Sequence, residues 1–179
     1  NATAAGMTQA LPMRGDYVLT FTIQGQPAPK PNEGPSANYR VATPNYFKTL
    51  GIPLLRGRAF TVRDGEKSPK VALVDQKFAD RHFPDRDPIG QGIDIGNGTD
   101  GFYEIVGVVG NIRDASLESI PAPTMYVPFD QAPFSGMSVV VRTAGEPTAL
   151  AASVRQTIQG IDRTLPAFAM TPLATVVSE

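Results

Sequence analysis

The sequence predicts an α+β fold made of many short elements. Apolar and polar residues alternate in several short runs, the period of a half-buried strand. Glycine and proline number seventeen each in 179 residues, above average usage of about 7% and 5%, and many of them punctuate those runs. Helical spacing also occurs, but briefly and between hairpin-like strand pairs, so α+β is favoured over a doubly wound parallel sheet.

The elements follow in chain order. Tyr17, Leu19, Phe21 and Ile23 face one way and Val18, Thr20 and Thr22 the other, which predicts a strand from Tyr17 to Ile23. Gly25 to Ser36 is rich in proline and glycine and reads as an extended loop. A strand from Asn38 to Ala42 runs into Thr43-Pro44, a plausible N-cap and first helical residue. The short helix that follows turns Phe47 and Leu50 inward and is capped by Gly51. Ile52 to Leu55 is extended. Val71 to Val74 suits a buried strand, after which Asp75 caps a helix with Phe78, Ala79, His82 and Phe83 on one face, ended by Pro84. Ile93 and Ile95 alternate with Asp94, and a turn from Gly96 to Gly101 leads to Tyr103–Val109, so a hairpin is expected. Met125 to Val127 and Ser138 to Arg142 are further strands. Pro147 opens a helix with Leu150, Ala151, Val154 and Ile158 at helical spacing, followed by Gly160. Leu165 to Met170 reads as a strand, and Thr171-Pro172 opens another helix.

Composition excludes several function classes. The net charge is −1 and no basic run stands out, Arg56 and Arg58 standing alone, so no bulk positive field exists for nucleic acid or anionic lipid. Cysteine is absent, which removes disulfide frameworks, thiol catalysis and thiolate metal sites and suits an oxidising envelope space. No stretch approaches the roughly 20 apolar residues of a spanning helix. The chain opens at Asn1-Ala2-Thr3 without Met, as an excised fragment or tag remnant would.

Each chemically suggestive group has a structural alternative that the sequence favours. His82 is the one histidine, has no evident orienting partner, and is expected to be structural. Gly107-Val-Val-Gly110 lacks the third glycine and the lysine of a phosphate loop; small residues in a strand mark a close approach instead. Asp94, Asn97 and Asp100 miss the spacing of a calcium loop, while Asn97-Gly98 suits a hairpin turn. Asp64 with Glu66, or Asp85 with Asp87, could form a carboxylate pair, but each pair lies in a polar loop where solvated carboxylates are the default. No catalytic residue, cofactor, metal or nucleotide is therefore expected.

Several segments carry the reading further. Tyr39 to Phe60, Val71 through Asp75 and Phe78 to Ala79, Phe83 to Gly90, Glu104 to Gly110, Tyr126 to Pro128, Val139 to Thr143 and Ile161 to Pro166 occur in one order and cover most of the chain. Together they resemble the MacB-type periplasmic core domain, most closely the duplicated-permease branch. In that branch the domain lies between the first and second transmembrane helices of an ABC transporter permease. The resemblance implies a porter-like βαβ subdomain, residues 1–67 and 137–179, split by an inserted sabre-like α+β subdomain, residues 68–136. The family's opening strand and helix are not matched, so the porter-like half is expected to lack them.

The resemblance also implies partners: an ABC ATPase subunit or domain acting through the membrane part, and a periplasmic adaptor or other envelope protein. It implies a bacterial inner membrane parent with this domain in the periplasm or outside the cell. The fragment itself is expected to be monomeric or weakly associating. The leading function is coupling of membrane-helix motion to export or to an envelope partner. The alternative is an extracytoplasmic ligand-binding or sensory module. The split architecture predicts that the Val139–Val141 and Tyr39–Val41 strands share a sheet. The Phe47–Leu50 face and the Leu150–Val154–Ile158 stripe would be buried against it, and the insertion would project as a second lobe.

Overall fold

Every residue from Val71 to Asp75 is buried, and that run forms the central strand of the molecule. The computed structural model describes all residues except 1, 13–16, 28, 31–32, 96–100, 113–121, 165–169 and 179. The strand expected at Leu165–Met170 and the turn beyond Gly96 thus fall largely outside the described residues.

The strands are β1 (Ala2–Thr8), β2 (Val18–Ile23), β3 (Ser36–Ala42), β4 (Leu54–Gly57), β5 (Val71–Asp75), β6 (Gly92–Ile95), β7 (Phe102–Val109), β8 (Thr124–Pro128) and β9 (Ser138–Thr143). The α-helices are α1 (Tyr46–Leu50), α2 (Gln76–His82), α3 (Ala151–Ile161) and α4 (Leu173–Ser178). All nine strands belong to one mixed sheet, ordered β2-β6-β7-β5-β8-β3-β1-β9, with β4 added to β7. Because β2 also pairs with β3, the strands from β2 round to β3 close into a small barrel. Pairing is parallel between β3 and β8 and between β5 and β7, and antiparallel elsewhere.

Strand alternation separates two cores. Phe21, Ile23, Val41, Ala72, Val74, Ile93, Ile105, Val108, Met125 and Val127 point into the barrel. Helix α2 closes one mouth with Phe78, Ala79 and Phe83. It starts where expected, with Asp75 accepting a hydrogen bond from the Phe78 N–H at 2.7 Å. It ends at Phe83, before Pro84. The outer face of β5, β7 and β8 carries Val71, Leu73, Val106, Val109 and Tyr126, which pack against Tyr46 and Phe47 of α1 and against Phe60. Gly51 ends α1 in the left-handed region, φ 72°, as expected.

The structure corrects several expectations. Thr43 is not the N-cap of α1: Asn45 holds that position, and the Thr43 hydroxyl instead accepts the Met7 N–H at 2.8 Å. Strand β1 had no legible pattern, because Ala2–Thr8 is small and weakly alternating. It is nevertheless the strand that joins β3 to β9, so the Val139–Val141 and Tyr39–Val41 strands do share one sheet, with β1 between them. The Leu150–Val154–Ile158 stripe is not buried against that sheet; Val154 and Ile158 are half-buried and no residue of α3 is fully buried. Gly160 lies inside α3 rather than past its end.

The boundaries expected at Ser68 and Gly136 do not coincide with a break in the sheet. Strands β2, β3 and β4 of the first segment pair with β6, β8 and β7 of the second. Backbone hydrogen bonds thus join the two segments in one sheet.

Candidate functional site

His82 sits at the end of α2 with its ring edge-on to Phe21, centroids 4.9 Å apart, and 4.8 Å from Phe78. Burial, reinforced by the neighbouring Arg81 charge, lowers its pKa to about 4. Its Nε2 is buried with no hydrogen bond among the described residues. The neutral ring is therefore a packing group on the barrel mouth.

Gly107 and Gly110 lie where chains come closest. A Cβ on Gly107 would stand 2.4 Å from the Arg58 carbonyl oxygen and 2.7 Å from Leu73 Cδ2; one on Gly110 would stand 2.9 Å from Pro53 Cδ. Strand β4 and the turn after it run against β7 because these positions have no side chain.

The carboxylates expected to be solvated divide into two kinds. Asp64 is buried and takes a bidentate pair from Arg58, both contacts 2.9 Å, plus the Thr61 N–H at 2.8 Å and the Thr61 hydroxyl at 3.1 Å. Burial pushes its pKa up, but the Arg58 and Thr61 bonds outweigh that and hold it below the usual value. Asp64 is thus the staple of the turn that seats Phe60 in the outer core, while Glu66 is exposed. Asp85 and Asp87 are exposed, Asp87 lying 3.6 Å from Arg56. Both border an open depression with Arg56, Gln76, Asp80 and Arg86. Asp94 stands on β6 between Thr22 and Phe102, with a buried Oδ1 lacking a partner among the described residues. Asn97 and Asp100 lie outside them. No three His, Asp or Glu side chains gather into a metal-binding group among the described residues.

A second open concavity occupies the barrel mouth opposite α2. Leu19, Tyr39, Ile95 and Tyr103 line it from inward-facing strand positions, and Tyr17 and Phe134 stack edge-on at its rim with centroids 6.2 Å apart. Sequence reasoning missed two arginines. Arg40 is buried in β3 and donates to the Ala10 carbonyl. Arg142 on β9 donates to the Thr49 carbonyl at 2.8 Å. Neither carries a local signal; each is the one charged residue of its strand.

This architecture is that of the extracytoplasmic domains of ABC-type permeases. The chain is similar to the periplasmic region of MacB from Actinobacillus actinomycetemcomitans over 89% of its own length and 67% of that chain, at 17% identity and a TM-score of 0.60. It is also similar to the extracellular domain of the noncanonic ABC-type transporter YknZ from Gram-positive bacteria, over 87% of its length and 70% of that chain, at 17% identity and a TM-score of 0.55. The family described as the MacB-like periplasmic core domain matches residues 4–158. The chain belongs to that family, as its sequence segments indicated, and the α+β class holds with it. No curated protein matches the chain. No helix of the described residues is long and apolar enough to cross a membrane.

Proposed function

We propose that this domain works outside the cytoplasm as part of a bacterial inner-membrane MacB-like permease. It couples movement of the membrane helices to export or to an envelope partner protein. An ABC ATPase, as a subunit or a fused domain, drives that movement from the cytoplasmic side, and the domain contributes no chemistry of its own. The observation that carries this reading is the antiparallel pairing of β1 with β9, from Ala2 opposite Thr143, past one register shift before Ala4, to Thr8 opposite Ser138. A force on either strand is shared at once with the other. It then passes through the hydrogen-bonded sheet to β3 and the barrel.

A ligand-binding module calls instead for an enclosed pocket with a few converging polar groups. Both described concavities are open, and one is bordered mainly by charged side chains, which favours the coupling reading. The test uses the full-length permease with its ATPase in lipid nanodiscs, spin-labelled at Thr3→Cys and Asp85→Cys. A non-hydrolysable ATP analogue should shift the distance distribution between the labels. An identical distribution with and without nucleotide would overturn the coupling role.

A further inference from the structure

Strands β1 and β9 form a two-stranded ribbon whose attachment to the barrel is uneven. At its base the attachment is dense. The Met7 N–H bonds to the Thr43 hydroxyl at 2.8 Å, and the Met7 carbonyl accepts the Thr43 N–H at 3.0 Å. Gln9 binds β3 through its own N–H to the Val41 carbonyl at 3.3 Å, and its side chain holds the Tyr39 carbonyl at 2.9 Å and the Val41 N–H. Arg40 reaches the Ala10 carbonyl.

Beyond Met7 the ribbon leans mainly on α1. Gly6 lies so close that a Cβ there would be 2.6 Å from Tyr46 Cα. Val140 packs at the margin of the outer core, and no residue of β1 or β9 is a fully buried member of either apolar cluster. The outer half of the ribbon contributes little buried apolar side chain of its own, and segments of that kind open at the low end of a protein's range of local stabilities.

What closes it is Arg142. The last carbonyls of α1 find partners unequally. Phe47 accepts the Ile52 N–H at 2.8 Å and Lys48 accepts the Gly51 N–H at 3.2 Å, both within the turn. Thr49 receives its donor from Arg142 Nε at 2.8 Å, 93 residues away. A guanidinium at a helix C-terminus meets both an orphan carbonyl and the negative end of the helix dipole. Gly51 makes room for it, since a Cβ there would stand 3.0 Å from Arg142 Nη2.

We infer that Arg142 is a latch. It fastens the β1–β9 ribbon to α1, and its release lets the ribbon swing about Met7–Ala10 while the barrel stays folded. The coupling reading gives this joint its use, but the joint is a property of the chain by itself. A failure here would leave the family's role open, and a failure of the nucleotide experiment would leave the joint standing.

Native-state amide exchange by mass spectrometry on residues 1–179 tests it, with the wild type, R142M and R142K. In the wild type, peptides covering Ala2–Gly6 and Val140–Thr143 should exchange together and faster than those of β5, β7 and β8. R142M should accelerate both ribbon strands by about 10-fold, the scale of one hydrogen bond to a charged donor after solvent screening, and leave β5, β7 and β8 unchanged. R142K keeps a charged donor and should recover part of the protection. Equal acceleration everywhere, or none, would overturn the latch. If R142M does not fold, the wild-type pattern decides: a ribbon that opens only with global unfolding overturns the proposal, and one that opens earlier as a unit supports it.

Discussion

The barrel and the terminal ribbon are built from the same kind of strand but held by different forces. In the barrel, β5 is buried at every position and its side chains serve two cores at once, Ala72 and Val74 inside and Val71 and Leu73 outside. In the ribbon, β9 has no fully buried residue, and its stability comes from ladder hydrogen bonds to β1 and from polar contacts with α1. Helix α3 resembles the ribbon: its apolar stripe is only half-buried. Burial of apolar surface contributes about 1.5–3 kcal/mol for each large side chain, whereas a net hydrogen bond contributes about 1 kcal/mol. One region should therefore unfold as a unit and the other should open locally.

The sharpest way to break this contrast is a cavity in the barrel. Phe78 is fully buried beside Phe21, and Phe78→Ala should cost about 3–5 kcal/mol of unfolding free energy, measured by urea denaturation. A loss below about 1 kcal/mol would mean that α2 does not plug the barrel. Next comes overpacking where β4 meets β7. Gly107→Ala forces a methyl group to 2.4 Å from the Arg58 carbonyl oxygen, and a loss of about 1–3 kcal/mol is expected. Gly110→Ala, whose nearest neighbours are Pro53 ring atoms at 2.9 and 3.0 Å, should cost less.

A smaller effect comes from His82. Its folded pKa, about 4, lies below the ordinary 6.5, so folding favours the neutral ring. Its contribution is present in full above pH 6.5 and is lost as pH falls from 6.5 toward 4. Because the ring is only partly buried, the loss is on the order of 1 kcal/mol. Urea titrations of wild type and His82→Gln across that window measure it: the wild type should lose more, and parallel curves would remove His82 from the packed mouth. The smallest effect is expected in α3. Val154→Asp places a charge on a half-exposed helix face, so the cost should stay under about 1 kcal/mol, with faster amide exchange confined to residues 147–161. The split-domain reading required the opposite, loss of protection as far as the Tyr39 strand. That outcome would show the stripe to be core after all.

Much of the architecture was legible because local patterns report burial and chain reversal. Phe21 and Ile23 face inward as their alternation demands, Asp75 caps α2, Pro84 follows its end, and Gly51 takes the left-handed cap of α1. The close approach at Gly107 was legible too, from a glycine inside an apolar strand. Asp64 was not: a carboxylate in a polar loop looks solvated until the path of the chain returns Arg58 and Thr61 to it. Thr43 misled for a related reason. A hydroxyl before proline suits an N-cap, but the Met7 N–H, 36 residues away, had the stronger claim on it.

By itself, then, the sequence determined which strand residues turn inward, where α2 starts and stops, the mixed α+β class and membership of the MacB-like family. Those properties depend on periodicity, turn chemistry and the order of short segments, all of which lie along the chain. Only the tertiary structure decided that β2 pairs with both β3 and β6 and so closes a barrel across the expected domain boundaries. It alone assigned a weakly patterned segment, Ala2–Thr8, as the link between β3 and β9, and seated Arg142 on the end of α1. Strand partners and long-range caps depend on which unsatisfied backbone groups meet in space, and a residue's own neighbours carry no record of that.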